Sequence, residues 1–119
     1  MEEFIEKRRY PRVSLTGSVE VSKNEHKFFG LLKNVSLGGI AIELTEKLLE
    51  GETYIFIFVL PTAKKIRATG SVRWFVPKNG IKLYGIEFNK IGFLSRIRLS
   101  SFIRAMLGSN LEKVTSLTQ

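Results

Sequence analysis

Apolar residues recur with a period of two along most of the chain. Val13, Leu15, Val19 and Val21 alternate with small or polar residues, and the same alternation returns at Phe28, Gly30 and Leu32. Such a pattern places one side of an extended segment in a core and the other in water. It predicts a strand ending at Asn24, a turn at KNEH, a return strand through Leu32, and a third strand over Ile40–Leu44. YIFIFVLP (54–61) is a fourth, closed by Pro61 and Thr62. KKIRATGSVRWFV and KLYGIEFNK supply two more, joined at PKNG, where Asn79 and Gly80 suit a tight hairpin. Between the third and fourth, TEKLLEGE carries turn chemistry at Gly51 and has room for one short helical turn. Six strands with short turns and no crossover helices predict a mainly β chain: a small six-stranded antiparallel β-barrel with a C-terminal α-helix. YIFIFVLP is apolar on both faces, so its outer side is expected to lie under the helix or a neighbouring subunit.

The period changes to 3.6 only near the end. In GFLSRIRLSSFIRAMLG, Leu99, Phe102, Ile103 and Met106 form one stripe, with Arg96, Ser100 and Arg104 opposite. The stripe is expected to close one side or end of the barrel, the alternative being a membrane-surface or partner-docking helix because the polar side carries Arg, with Gly108 as the helix stop and SNLEKVTSLTQ frayed beyond it. The expected organisation is residues 1–12 as a flexible N-terminal segment, 13–107 as barrel plus helix, and 108–119 as a tail.

Composition narrows the function classes. All 11 acidic residues are Glu, the single histidine is His26 in the polar KNEH turn, and there is no cysteine. A Ser-His-Asp or Cys-His arrangement and a Cys- or His-rich metal site are therefore absent, and the expectation is a non-enzyme without a metal cofactor. The lack of cysteine suits a reducing cytoplasm. MEEFIEKRRY is too charged for a signal peptide, and no apolar run is long enough to span a bilayer. A net charge of +8 points instead to an anionic partner.

Two short stretches say where that partner sits. KRRYPR (7–12) holds four cations in six positions, and Pro11 keeps the backbone extended, so Arg8 and Arg12 lie on one side of the segment. Each guanidinium is a planar fork that grips a phosphate or the O6 and N7 edge of guanine. NVSLGG (34–39) adds the Asn34 amide, the Ser36 hydroxyl, and Gly38 with Gly39 where a backbone bends or approaches something closely. In this order and at this distance, on a small all-β chain with a late YGIEF strand, RRYPR and NVSLGGI resemble the PilZ domain family over roughly residues 7–107. Its members are bacterial receptors for cyclic di-GMP marked by RxxxR and (D/N)xSxxG.

The resemblance implies that Arg8 and Arg12 clamp the phosphates and guanine edges of cyclic di-GMP, and that Asn34, Ser36 and Gly39 line the same site. Asn34 stands where many members carry Asp; it offers one carbonyl and an NH₂ in place of a carboxylate. Lys7 and Arg9 flank the first motif as additional charge contacts or as solvent-facing cations, and Tyr10 is expected to anchor the segment to the barrel. Gly38 completes the small-residue floor. Trp74 in SVRWF is the candidate stacking ring, against the alternative that it is core. The implied mechanism is a second-messenger switch in motility or biofilm regulation. One ligand or a stacked pair neutralises the arginines, orders the N-terminal segment and presents a new surface to a downstream protein. The chain would act as a monomer or homodimer. Two rivals are an adaptor that works by protein contacts without ligand, and a basic barrel binding single-stranded nucleic acid through Phe28, Phe29, Trp74 and Phe75. The second lacks an RNP-like motif and a cationic strand face.

Overall fold

The computed structural model describes residues 10–118, with side chains over 10–108. Lys7, Arg8, Arg9 and most of the segment 1–12 lie outside the described residues. Six strands form a closed antiparallel barrel: β1 (Val13–Lys23), β2 (His26–Val35), β3 (Gly39–Leu44), β4 (Thr53–Val59), β5 (Lys65–Lys78) and β6 (Ile81–Ile91). Their order around the barrel is β1-β2-β3-β6-β5-β4, so consecutive strands pair as hairpins except where β6 closes on β3 and β4 on β1. One helix follows, α1 (Phe93–Thr118).

The alternating residues fill the interior. Val19, Val21, Leu32, Ile42, Phe56, Phe58, Ile66 and Tyr84 are essentially inaccessible. The PKNG hairpin turns on two residues, Asn79 (φ 47°) and Gly80 (φ 81°), both in the left-handed region that a twisted two-residue β-turn requires. β2 begins one residue after the first turn, so His26 is an exposed strand residue rather than a turn residue. NVSLGG is also less of a loop than its composition suggests. Asn34 and Val35 end β2 and Gly39 begins β3, leaving Ser36–Gly38 as the turn.

Three expectations are corrected. No helical turn forms between β3 and β4. The segment is an irregular loop turning at Gly51 (φ 82°) and is tied to the barrel by tyrosine hydroxyls. Tyr84 accepts from the Leu48 N–H at 2.9 Å and donates to the Glu46 carbonyl at 3.2 Å, while Tyr54 accepts from the Leu49 N–H at 2.9 Å. Tyr84→Phe should therefore leave a buried amide unpaired and lower stability by about 1–2 kcal/mol in urea denaturation.

The outer side of β4 is not covered by α1, which packs mainly on β5 and less on β1. Ile55 and Ile57 are instead half-buried between flanking strands, with Arg67 and Lys65 of β5 paired opposite Ile57 and Val59. Third, α1 continues through Gly108 to Thr118. Gly108 does not adopt a positive φ, and one helical glycine costs only about 1 kcal/mol against good helix formers such as Leu111, Glu112 and Lys113. Leu99, Phe102 and Ile103 join the barrel core, and Leu107 extends their stripe; Met106, expected in it, is 38% exposed. The helix closes the barrel where β5 begins: Ser95 Oγ accepts from the Arg67 N–H at 3.0 Å and Arg98 donates to the Lys65 carbonyl at 3.2 Å.

Candidate functional site

A β-bulge shifts strand pairing by one residue and re-aims every side chain beyond it. Two bulges build the site. On β2 the register slips between Leu32 and Asn34, so Leu32 points inward and Asn34 outward. On β5 it slips between Val72 and Trp74, which frees Trp74 from the inward set that ends at Val72. The two re-aimed residues fall in one cross-strand row on the barrel's outer face: Asn34 opposite Ala41, Ala41 opposite Gly85, and Gly85 opposite Trp74. Strands lie about 4.8 Å apart, so Asn34 and Trp74 stand roughly 14 Å apart across a floor of alanine and glycine. Trp74 is half-buried and is no core residue. Its indole lies over Gly85, where even a Cβ would strike the ring atoms Cε2 and Nε1. The ring thus packs on glycine and lines the cleft.

The NVSLGG turn forms the adjoining wall. Ser36 is only 8% exposed and its hydroxyl is engaged by its own turn. The Gly38 and Gly39 N–H groups each donate to Ser36 Oγ at 3.1 Å, and the hydroxyl lies 3.3 Å from the Gly39 carbonyl. The Ser36 hydroxyl thereby fixes the shape of the turn. Gly39 is demanded by packing, because a Cβ there would meet the Ile86 carbonyl of β6. Gly38 is demanded by Tyr10, whose ring edge would be 2.6 Å from an added Cβ. Its carbonyl accepts from the Phe88 N–H at 2.9 Å, pinning the turn to β6. Tyr10 thus docks the chain beside the turn, as expected of an anchor. Arg12, exposed, lines the cleft two residues later.

The cleft measures ≈ 800 Å³, within the range of small-ligand sites (roughly 300–1,000 Å³). Of the site residues read from sequence, the structure brings Arg12, Asn34, Ser36, Gly38, Gly39 and Trp74 together around it. It adds Arg73, Gly85, Glu87, Lys90 and Arg96, which sequence reasoning missed. Arg73 and Glu87 form an ion pair at 2.8 Å with both side chains more than half exposed. Such a pair contributes about 0–1 kcal/mol, so opening it costs little. Four cations and one carboxylate among the described lining residues give the cleft a positive balance suited to a phosphate-bearing ligand.

A PilZ domain family model matches residues 6–105. The chain belongs to the PilZ domain family. The match covers both motifs, the whole barrel and the start of α1. An uncharacterized protein of Aquifex aeolicus (strain VF5) is 29% identical over 87 residues, which is 73% of this chain and 43% of that protein. Among solved structures, the Bacillus subtilis inhibitor of motility MotI/DgrA is 27% identical with a TM-score of 0.73, over 85% of this chain and 52% of its own. Escherichia coli YcgR in complex with c-di-GMP gives a TM-score of 0.73 at 17% identity, over 93% and 50% of the two chains. The separate PilZ domain of YcgR with c-di-GMP gives 0.70 at 16% identity and is covered over 98% of its length. At these identities the YcgR likenesses show the fold. The chain spans about half the length of the Aquifex and Bacillus relatives and of the first YcgR chain.

Proposed function

We propose that this PilZ domain is a receptor for cyclic di-GMP that acts as a ligand-operated switch and not as a catalyst. The observation that carries the reading is the Asn34–Ala41–Gly85–Trp74 row. It forms a flat small-residue floor with an amide at one end and a stacking ring at the other, beside Arg12 and under a segment anchored by Tyr10. A cyclic dinucleotide offers two purine faces for Trp74 and two phosphates for the arginine forks. The family's binding of this messenger and the presence of c-di-GMP in the two YcgR structures support the same choice.

In the proposed mechanism Arg8 and Arg12 close on the phosphates, with Lys7 and Arg9 adding charge, and the segment before Tyr10 becomes ordered across the cleft. A downstream protein reads the surface so formed, in motility or biofilm control, the role suggested by the inhibitor-of-motility relative. Binding free energy is thereby coupled to the order of one segment.

Calorimetric titration with cyclic di-GMP, cyclic di-AMP and GTP tests the reading. Guanine presents O6 and N7 acceptors to an arginine fork, whereas adenine presents an N6 donor there. Cyclic di-AMP should therefore bind roughly tenfold or more weakly for each base read. Saturable, guanine-selective binding is expected, with the midpoint giving one or two ligands per chain, and hydrogen exchange over residues 4–12 should slow when ligand is added. Absence of binding by the folded protein would remove the receptor reading and leave a protein-contact adaptor.

A further inference from the structure

The first two turns of α1 run against helix electrostatics. Unpaired N–H groups give a helix start a partial positive charge, which favours carboxylates there. α1 has no acidic residue in its first turn; it has Arg96, with Arg98 two residues on. The same turns expose Phe93 (78%), Leu94 (62%) and Ile97 (49%). At 3.6 residues per turn, Phe93 and Ile97 stack on the side away from the buried Leu99 and Phe102, and Arg96 and Arg98 fall to either side of that ridge. The hydrogen bonds of Ser95 and Arg98 to the Arg67 and Lys65 backbone put these two exposed β5 residues next to this end of the helix.

Charge on this part of the chain is one-sided. Beside the ridge, Lys65, Arg67, Arg96 and Arg98 form no salt bridge among the described residues. A protruding apolar ridge set in uncompensated cations is complementary to an anionic surface that also accepts hydrocarbon.

We propose that this end of the molecule binds anionic membrane surfaces, with Phe93, Leu94 and Ile97 entering the headgroup–acyl boundary and the flanking arginines and β5 cations meeting lipid phosphates. The shape favours lipid over protein. A stable protein partner needs a matched surface of about 800 Å² on each side. A bilayer takes up a convex ridge without such matching and gains from both the apolar side chains and the cations. Beyond Ile97 the solvent side of α1 turns polar at Ser100, Ser101 and Arg104, so insertion is confined to the helix start. Among the described residues no helix is long and apolar enough to cross a membrane, which makes this a surface contact.

Vesicle flotation tests it, independently of the dinucleotide reading. The protein should float with phosphatidylcholine vesicles containing about a third phosphatidylserine and not with phosphatidylcholine alone. Binding should weaken as salt rises from about 0.1 to 0.5 M. Phe93→Ser combined with Ile97→Ser should lower the partition at least tenfold while shifting the thermal unfolding midpoint little, because Phe93 is mostly and Ile97 half exposed. The proposal is overturned by failure to float with either vesicle, or by flotation that the double serine variant does not alter. Self-association or capture by a protein that depends on Phe93, without vesicle binding, would also overturn it and assign the ridge to protein contact.

Discussion

Replacing Arg8 and Arg12 together by alanine is expected to weaken cyclic di-GMP binding by roughly 10²- to 10⁴-fold while leaving the melting temperature unchanged. A hydrogen bond to a charged group contributes about 1.5–3 kcal/mol, and every 1.4 kcal/mol is a factor of ten. The two arginines meet one ligand, so their effects are coupled and the double loss should fall short of the product of the single losses. Each single variant should lose roughly 10- to 150-fold. Stability is spared because Arg12 is exposed and makes no ion pair among the described residues. Calorimetry and a thermal melt on the same samples separate the two quantities. Wild-type affinity in the double variant would mean that the ligand's phosphates are held elsewhere, with Arg73 and Arg96 the next cations to replace.

The barrel was legible because its information is local. Alternation at Val19 and Val21 or at Phe56 and Phe58 needs only neighbouring residues, and Asn79–Gly80 is a turn signal within one dipeptide. The N-terminal and NVSLGG motifs were legible for the same reason. What stayed hidden depends on register. Nothing near Trp74 says that β5 slips between Val72 and Trp74, yet that bulge decides whether the indole is core or cleft. Arg73 and Glu87 are ordinary strand residues 14 positions apart until β5 and β6 pair. Gly85 within YGIEF carried a signal, since a glycine inside a strand marks close approach of another group, but its partner Trp74 follows only from the topology. The coverage of β4 was misjudged for a related reason. An apolar outer face was assigned to the helix or a neighbouring subunit, whereas the helix spends its stripe on the barrel end and leaves that wall between β1 and β5.

Gly39 and Gly85 of the cleft should fail in different ways, and that difference separates scaffold from site. At Gly39 an added Cβ meets the backbone carbonyl of Ile86, in the pairing where β3 joins β6 and closes the barrel. Backbone cannot step aside without breaking that ladder, so Gly39→Ala should cost about 3 kcal/mol, the upper end for an overpacked position. At Gly85 the obstructing atoms belong to the half-buried Trp74 side chain, which has solvent to move into. Gly85→Ala should therefore leave stability nearly intact while lifting the ring off the floor. Base–aromatic stacking contributes about 1–3 kcal/mol per base, so affinity for cyclic di-GMP should drop roughly 5- to 150-fold. Denaturant unfolding and calorimetry on both variants give the four numbers needed. A stable Gly39→Ala that loses only ligand would mean the motif glycine is kept for ligand approach and the packing account is wrong. A Gly85→Ala variant that binds normally would take Trp74 out of the site and leave the arginines to hold the dinucleotide without a stacking platform.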